Sequence, residues 1–284
     1  MLTMRDFCLG TVQFGIPYGI NRSEELPSSS EVESIFQFFF EKGGIYIDTA
    51  RAYGDSEKII SKFIDEKAKV ITKVNIKNNF NEAAQNIEQS IKNLNVDNID
   101  TLLIHNVEAL SQPDLPELCS KIKSYFPIDN IGISIYSEDD ITNSIHNYKD
   151  LLFFDVIQVP ANVLDRRFIE SEVFKYLQEK KIRFDLRSIF LQGALINKEN
   201  AKKLLPDGLE KYLNSWFNYL NKNKINAVEG VISNLPRIEN SLTLFGCVSR
   251  SEIEEINSYF DNVSKKDYSN DDEIPLRVID PRLW

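Results

Sequence analysis

The sequence predicts a single (β/α)8 barrel, an α/β TIM-type fold, and three observations lead there. Apolar runs bounded by turns alternate with helical-period stretches from end to end of the 284 residues, the pattern of parallel βα units. Eight such runs can be counted, each followed by a helical stretch; an open doubly wound sheet would need fewer strands or a second domain. Several runs also end on a polar residue able to do chemistry, and in a parallel β/α array successive strand ends converge on one rim. With 42% hydrophobic residues the chain can bury a core of that size. Neither a low-complexity linker nor a composition shift divides it, so residues 1–284 are read as one domain, with a polar loop and tail from about 261.

In order, the first strand covers 7–11, and a loop containing Gly and Pro runs through Pro27. Ser28-Ser-Ser30 with Glu31 and Glu33 marks a helix start ahead of Val32, Ile35, Phe36 and Phe39, and Gly43-Gly44 supplies a left-handed stop. The second strand is 45–48, with a helix from near Ser56; the third is 70–74, with a helix over 81–94. The fourth is 101–105, with a helix over 115–125; the fifth is 130–134, with a helix over 138–147. The sixth, 155–159, ends at Pro160 and precedes a helix over 170–180. The seventh, 183–189, leads into a longer helical region up to Ser233 in which Trp216 and Phe217 read as core. The eighth is 242–245, and Ser249 caps a helix through Tyr259. The apolar ending with Trp284 is expected either to stay mobile or to dock, a barrel rim being one candidate.

Composition narrows the function classes. No stretch approaches the roughly 20 apolar residues of a membrane span, and Met-Leu-Thr-Met-Arg-Asp-Phe-Cys at the start lacks the apolar core of a signal peptide, so a cytoplasmic location is expected. Cys8, Cys119 and Cys247 are widely spaced and without a Cys-x-x-Cys, which suits reduced, buried thiols. The 43 acidic against 33 basic residues give a net charge of −10, which disfavours a nucleic-acid surface. With only two histidines a multi-histidine metal site is not expected, and His146, after a helical stretch, reads as surface.

The chemistry sits at four strand ends: Asp48 and Tyr53 in Ile45-Tyr-Ile-Asp-Thr-Ala-Arg-Ala-Tyr-Gly54, Lys73 in Val70-Ile-Thr-Lys-Val74, and His105 in Leu102-Leu-Ile-His-Asn106. Each alone is an ordinary strand-end or turn residue. Together on one rim they form a proton-transfer set. A carboxylate (Asp48) keeps a buried amine (Lys73) charged, the amine makes a phenol (Tyr53) a better acid, and an imidazole (His105) orients a carbonyl. None of them can supply a hydride, so reduction requires a bound cofactor. Asp165-Arg166-Arg167 follows the sixth strand and belongs on the same rim. Arg166 and Arg167 are read either as surface ion pair and cap or, with Arg187, as a pocket for an anionic group.

In this order and spacing the motifs resemble the aldo-keto reductases, in a bacterial branch. Supporting matches are Leu9-Gly-Thr-Val-Gln-Phe-Gly15, Ile131-Gly-Ile-Ser134, Val156-Ile-Gln-Val-Pro160 with Asn162, and Phe190-Leu-Gln-Gly-Ala-Leu195, together spanning about residues 5–260. The resemblance implies a barrel that binds NADPH, with NADH as the other possibility, and does so without a Gly-rich Rossmann loop. It implies a small carbonyl substrate, a catalytic set of Asp48, Tyr53, Lys73 and His105, and nicotinamide contacts at Ser134 and Gln158. Arg187 falls where the family commonly stacks an aromatic ring on the nicotinamide, with Ser188 next to it in the same cofactor site; Ile135 replaces a frequent Asn. Where the family grips the adenosine phosphate, basic residues are poorly reproduced: Glu252 stands near a common arginine, and Arg250 is the nearest substitute. The branch is associated with sugar metabolism, which implies a sugar-derived or anionic carbonyl. Two rivals remain at this point: a Schiff-base lyase using Lys73, and a barrel that senses cofactor or binds a partner without turnover.

Overall fold

A computed structural model describes residues 2–20, 25–77, 79–142, 148–204, 210–260, 268 and 273–284. Eight parallel strands close into a barrel: β1 (Phe7–Gly10), β2 (Tyr46–Asp48), β3 (Lys69–Val74), β4 (Ile99–Ile104), β5 (Ile128–Ser134), β6 (Val156–Pro160), β7 (Arg183–Arg187) and β8 (Ser241–Gly246). Each pairs with the next in sequence, and β8 pairs back onto β1 through Cys8 opposite Leu244 and Gly10 opposite Gly246. Because side chains alternate along a strand, residues at even positions of β1, β2, β5, β6 and β8 and odd positions of β3, β4 and β7 point into the barrel. Its middle layer is apolar, built from Cys8, Ile71, Leu103, Val156, Leu242 and Leu244 with Tyr46 alongside. The opposite faces of the strands pack against the surrounding helices in two larger clusters.

Helix signals were placed where they act. Ser28 caps the helix Ser29–Glu41 by accepting from Glu31 N, and Gly43 ends it at φ 83°. Ser171 caps Glu172–Glu179, and Ser249 caps Arg250–Ser258. The unit after β2 is reduced to one short helix, Ser56–Ile60. After β5 the helix Glu138–Thr142 is described, and the rest of the predicted 138–147 segment, His146 included, lies outside the described residues. Between β7 and β8 come Lys198–Leu204, Glu210–Asn223 and Ala227–Ser233; Trp216 is fully buried there and donates from Nε1 to the Leu195 carbonyl at 2.9 Å. The three cysteines are buried thiols. No described helix is long and apolar enough to cross a membrane.

The C-terminal segment docks. Val278 and Ile279 are buried in the larger core cluster, Trp284 Nε1 donates to the Arg277 carbonyl at 2.8 Å, and the Arg282 guanidinium lies 3.5 Å over the ring of Tyr136. Tyr136 follows β5 by two residues, so the tail reaches the rim on which the strand ends converge.

Candidate active site

Asp48, Lys73 and His105 project inward at the carboxyl ends of β2, β3 and β4, one layer above the apolar middle of the barrel. Lys73 Nζ lies 2.5 Å from Asp48 Oδ1, donates to the Thr49 carbonyl at 2.9 Å, and lies 3.5 Å from Tyr53 Oη. The second oxygen of Asp48 accepts from Gln158 Nε2 at 2.8 Å. The Tyr53 and His105 rings meet edge to face with centroids 6.1 Å apart. All four residues expected from the sequence are therefore in one place.

The charge states suit proton transfer. Burial alone would discharge Lys73, which is 1% exposed, but Asp48 and Tyr53 outweigh it and hold the amine above its usual range. Burial raises the Tyr53 phenol; Lys73 and Arg187 pull the other way without cancelling it, so the phenol keeps its proton at neutral pH. His105 is pushed down to about 4 by burial, with Lys73 and Arg187 adding, so it is a neutral imidazole with one N–H to donate.

The loop that carries Tyr53 is held by groups with no motif to announce them. Thr11 Oγ1 lies 2.8 Å from Ser56 Oγ and donates to the Asp48 carbonyl at 3.0 Å, while Ser56 Oγ donates to the Thr11 carbonyl at 2.9 Å. Gly54, at φ 58°, turns the chain after Tyr53. Gly15 lies so close that a Cβ there would sit 1.9 Å from the Tyr53 carbonyl oxygen. On the other side, Asn106 ties the β3 and β4 loops together through the Ile76 backbone, accepting at 2.7 Å and donating at 3.0 Å.

A sequence profile described as the Aldo/keto reductase family matches residues 6–274. The chain belongs to the aldo/keto reductase family. Solved structures agree on the fold. A structure described as an aldo-keto reductase from Pseudomonas aeruginosa superposes with a TM-score of 0.65 at 17% identity, covering 91% of this chain and 90% of that one. The glycerol dehydrogenase of Gluconobacter oxydans gives 0.68 at 19% identity, covering 90% of this chain and 86% of that one. No curated protein matches significantly. This aldo/keto reductase is an oxidoreductase of a family that generally uses NAD(P)H on small carbonyl compounds.

The remaining predicted residues divide. Ser134, at the end of β5, is paired in register with Gln158 of β6, with Ser134 Oγ 3.4 Å from Gln158 Oε1; a hydroxyl beside a carboxamide fits a primary amide such as that of nicotinamide. Arg187, at the end of β7, lies 4.2 Å from the ring centroid of Tyr136, donates from Nη2 to the Ile135 carbonyl at 3.0 Å, and donates from Nη1 to Ser188 Oγ at 3.2 Å. Arg282 lies against the same ring, 3.5 Å from its centroid. Among the described residues Arg187 has no carboxylate partner. Arg166 and Arg167 do: Arg166 pairs with Glu170 at 2.5 Å on the surface, and Arg167 forks onto buried Asp165 with both bonds at 2.9 Å. The Arg250 side chain is already engaged, bonding Glu254 Oε1 at 2.6 Å and the Ser34 carbonyl at 3.0 Å with its guanidinium carbon 4.5 Å from the Phe38 ring centroid.

Two features of the rim escaped sequence reasoning. Tyr18, held by Gln192 Nε2 at 3.1 Å, is near enough to Tyr53, Arg187 and Tyr136 to interact with them electrostatically. In the loop after β7, Ser188, Leu191, Gln192 and Gly193 all take left-handed φ, at 62°, 47°, 54° and 96°. Such backbone costs of order 1 kcal/mol or more per non-glycine residue and clusters at ligand clamps, at the barrel position where phosphates are commonly bound. The signal for it, Gly193 in Phe190-Leu-Gln-Gly, was present but unspecific.

Proposed function

We propose that this protein catalyses the NAD(P)H-linked reduction of an aldehyde or ketone, with Tyr53 as the general acid. The observation that carries this reading is the line from Asp48 through Lys73 to Tyr53, with the amine 2.5 Å from the carboxylate and 3.5 Å from the phenol. A nicotinamide cofactor, when bound, would supply the hydride that these side chains lack. Tyr53 gives its proton to the carbonyl oxygen as negative charge develops there, and the Lys73 ammonium behind it stabilises the phenolate left. His105, neutral and across from Tyr53, donates its N–H to the same oxygen and fixes its direction. Ser134 and Gln158 are suited to hold the cofactor amide.

Arg187 supports the finer reading that the substrate carries an anionic group, such as the carboxylate or phosphate of a sugar derivative. It is a fixed guanidinium on the rim whose partners among the described residues are neutral, whereas Arg166 and Arg167 are spoken for. A Schiff-base role for Lys73 is disfavoured, because the amine is held charged by three acceptors. The test is Tyr53→Phe. Turnover of an aldehyde panel should fall by about 100-fold or more while cofactor affinity is kept. Full activity in the variant would remove Tyr53 from the mechanism, and no turnover by the wild type despite cofactor binding would favour the sensing role.

A further inference from the structure

The loops after the last strands of a β/α barrel, ending at a helix N-terminus, are a usual place for phosphate. On the function proposed above, the adenosine ribose of the dinucleotide would lie there, and its 2′ substituent is all that separates NADPH from NADH. In this chain β8 runs through Cys247, Val248 and Ser249 into the helix Arg250–Ser258. The amide donors at that junction already face carboxylates. Val248 N donates to Glu252 Oε2 at 2.7 Å, and Arg250 N donates to Glu31 Oε1 at 2.5 Å. Glu252 N is taken by the Ser249 hydroxyl at 3.3 Å.

Glu31 is not a local residue. It stands on the helix Ser29–Glu41, 219 positions away in sequence, and that helix packs along Arg250–Ser258. Two elements therefore each place one carboxylate where a phosphate would need bare amides. The nearby cation does not compensate, because the Arg250 side chain is paired with Glu254 and lies against Phe38. The negative field is felt at buried Cys247, whose thiol is pushed well above its ordinary value by burial first and then by Glu252 and Glu31.

We infer that this enzyme selects NADH over NADPH, because Glu31 and Glu252 occupy the amides that a 2′-phosphate would need and repel it. A ribose 2′-hydroxyl, in contrast, is a donor that a carboxylate can accept, the solution used by NAD-specific dinucleotide folds. This departs from the NADPH expected from the family resemblance, and it rests on the dinucleotide reading of the barrel.

The experiment is a titration of the full chain with NADH and with NADPH at one fixed ionic strength, following protein fluorescence and then calorimetry. The expected result is NADH binding about 10- to 100-fold more tightly, ~1.4 to ~2.7 kcal/mol. The double variant Glu31→Gln/Glu252→Gln should gain about tenfold for NADPH and lose affinity for NADH, whose 2′-hydroxyl exchanges a carboxylate acceptor for a neutral amide. NADPH binding as tightly as NADH to the wild type would overturn this selection and leave the reductase reading intact. Binding of neither would overturn both. Should the double variant fold poorly, displacement of NADH from the wild type by 5′-AMP against adenosine 2′,5′-bisphosphate decides. Preference for 5′-AMP supports the selection, and equal or reversed potency overturns it.

Discussion

Replacing Asp48 with Asn removes one charge from a buried pair while keeping the side chain's shape. Asp48 and Lys73 are 3% and 1% exposed, and the two Asp48 oxygens serve two donors, Lys73 Nζ at 2.5 Å and Gln158 Nε2 at 2.8 Å. An asparagine has one acceptor, so whichever way it turns, its NH2 confronts another donor. It also leaves an ammonium in the barrel without its counter-charge. Breaking a buried pair from one side costs about 3–5 kcal/mol, whereas removing both charges together is often close to neutral. Asp48→Asn and Lys73→Met should therefore each lose about 3 kcal/mol or more, and the double variant much less than the sum. The assay is urea unfolding at pH 7 followed by fluorescence. In wild type the amine's raised pKa means that its stabilising contribution is complete below the ordinary lysine value of 10.5 and is lost only as pH rises through the folded value. Two single variants each losing less than about 1 kcal/mol, and adding in the double, would refute the coupling.

Three further outcomes are expected. His105 is pushed from 6.5 to about 4, so between those values the unfolded chain holds the extra proton and stability rises with pH. Asp185, buried beside Arg183 and pushed from 3.8 to about 6, gives the opposite slope. His105→Gln should remove the rising limb, shifting the variant-minus-wild-type stability by up to about 1.4 kcal/mol per pH unit between pH 4.5 and 6; a constant difference in urea titrations would contradict the lowered value. Gly15→Ala would place a methyl 1.9 Å from the Tyr53 carbonyl oxygen, so kcat should fall by about tenfold or more with the far-ultraviolet circular dichroism unchanged; wild-type kcat would show that the loop does not position Tyr53. Arg187→Met should raise KM for a carboxylated aldehyde about tenfold and for a neutral one less than about twofold, and equal effects would count against an anionic substrate.

The strands were legible because a parallel sheet buried on both faces writes its strands as short apolar runs, and the polar residue closing each run marked the rim. The limits of that reading are local. Strand β7 stops at Arg187 rather than at Ile189, because Ser188 turns to φ 62°. β5 begins at Ile128, two residues before the predicted start, because Ile128 already pairs with Ile99 of β4 and the polar Asp129 after it interrupts the apolar run. Groups joined across the barrel left no trace in sequence. Arg183 forks onto Asp185, bonds Thr101 Oγ1 at 2.8 Å and reaches Asp100 Oδ2 at 3.5 Å, while Asp100 also pairs with Lys69 at 3.3 Å, partners up to 83 residues apart. Glu31 read as an early acid of its own helix, and only the fold shows that it reaches Arg250 N. The motif residues were found because each follows an apolar run at a strand end, and a parallel barrel brings successive strand ends to one rim.

The proposed reaction has Tyr53 protonating a carbonyl while hydride arrives from nicotinamide. It is tested most directly by following deuterium from cofactor labelled at C4 into the alcohol product, with wild type and Tyr53→Phe side by side. Deuterium in the wild-type product, transferred about 100-fold or more slowly by the variant at unchanged cofactor affinity, is the expected result. Transfer at the wild-type rate without the phenol, or cofactor that binds and never delivers its deuterium to any aldehyde or sugar, would contradict it.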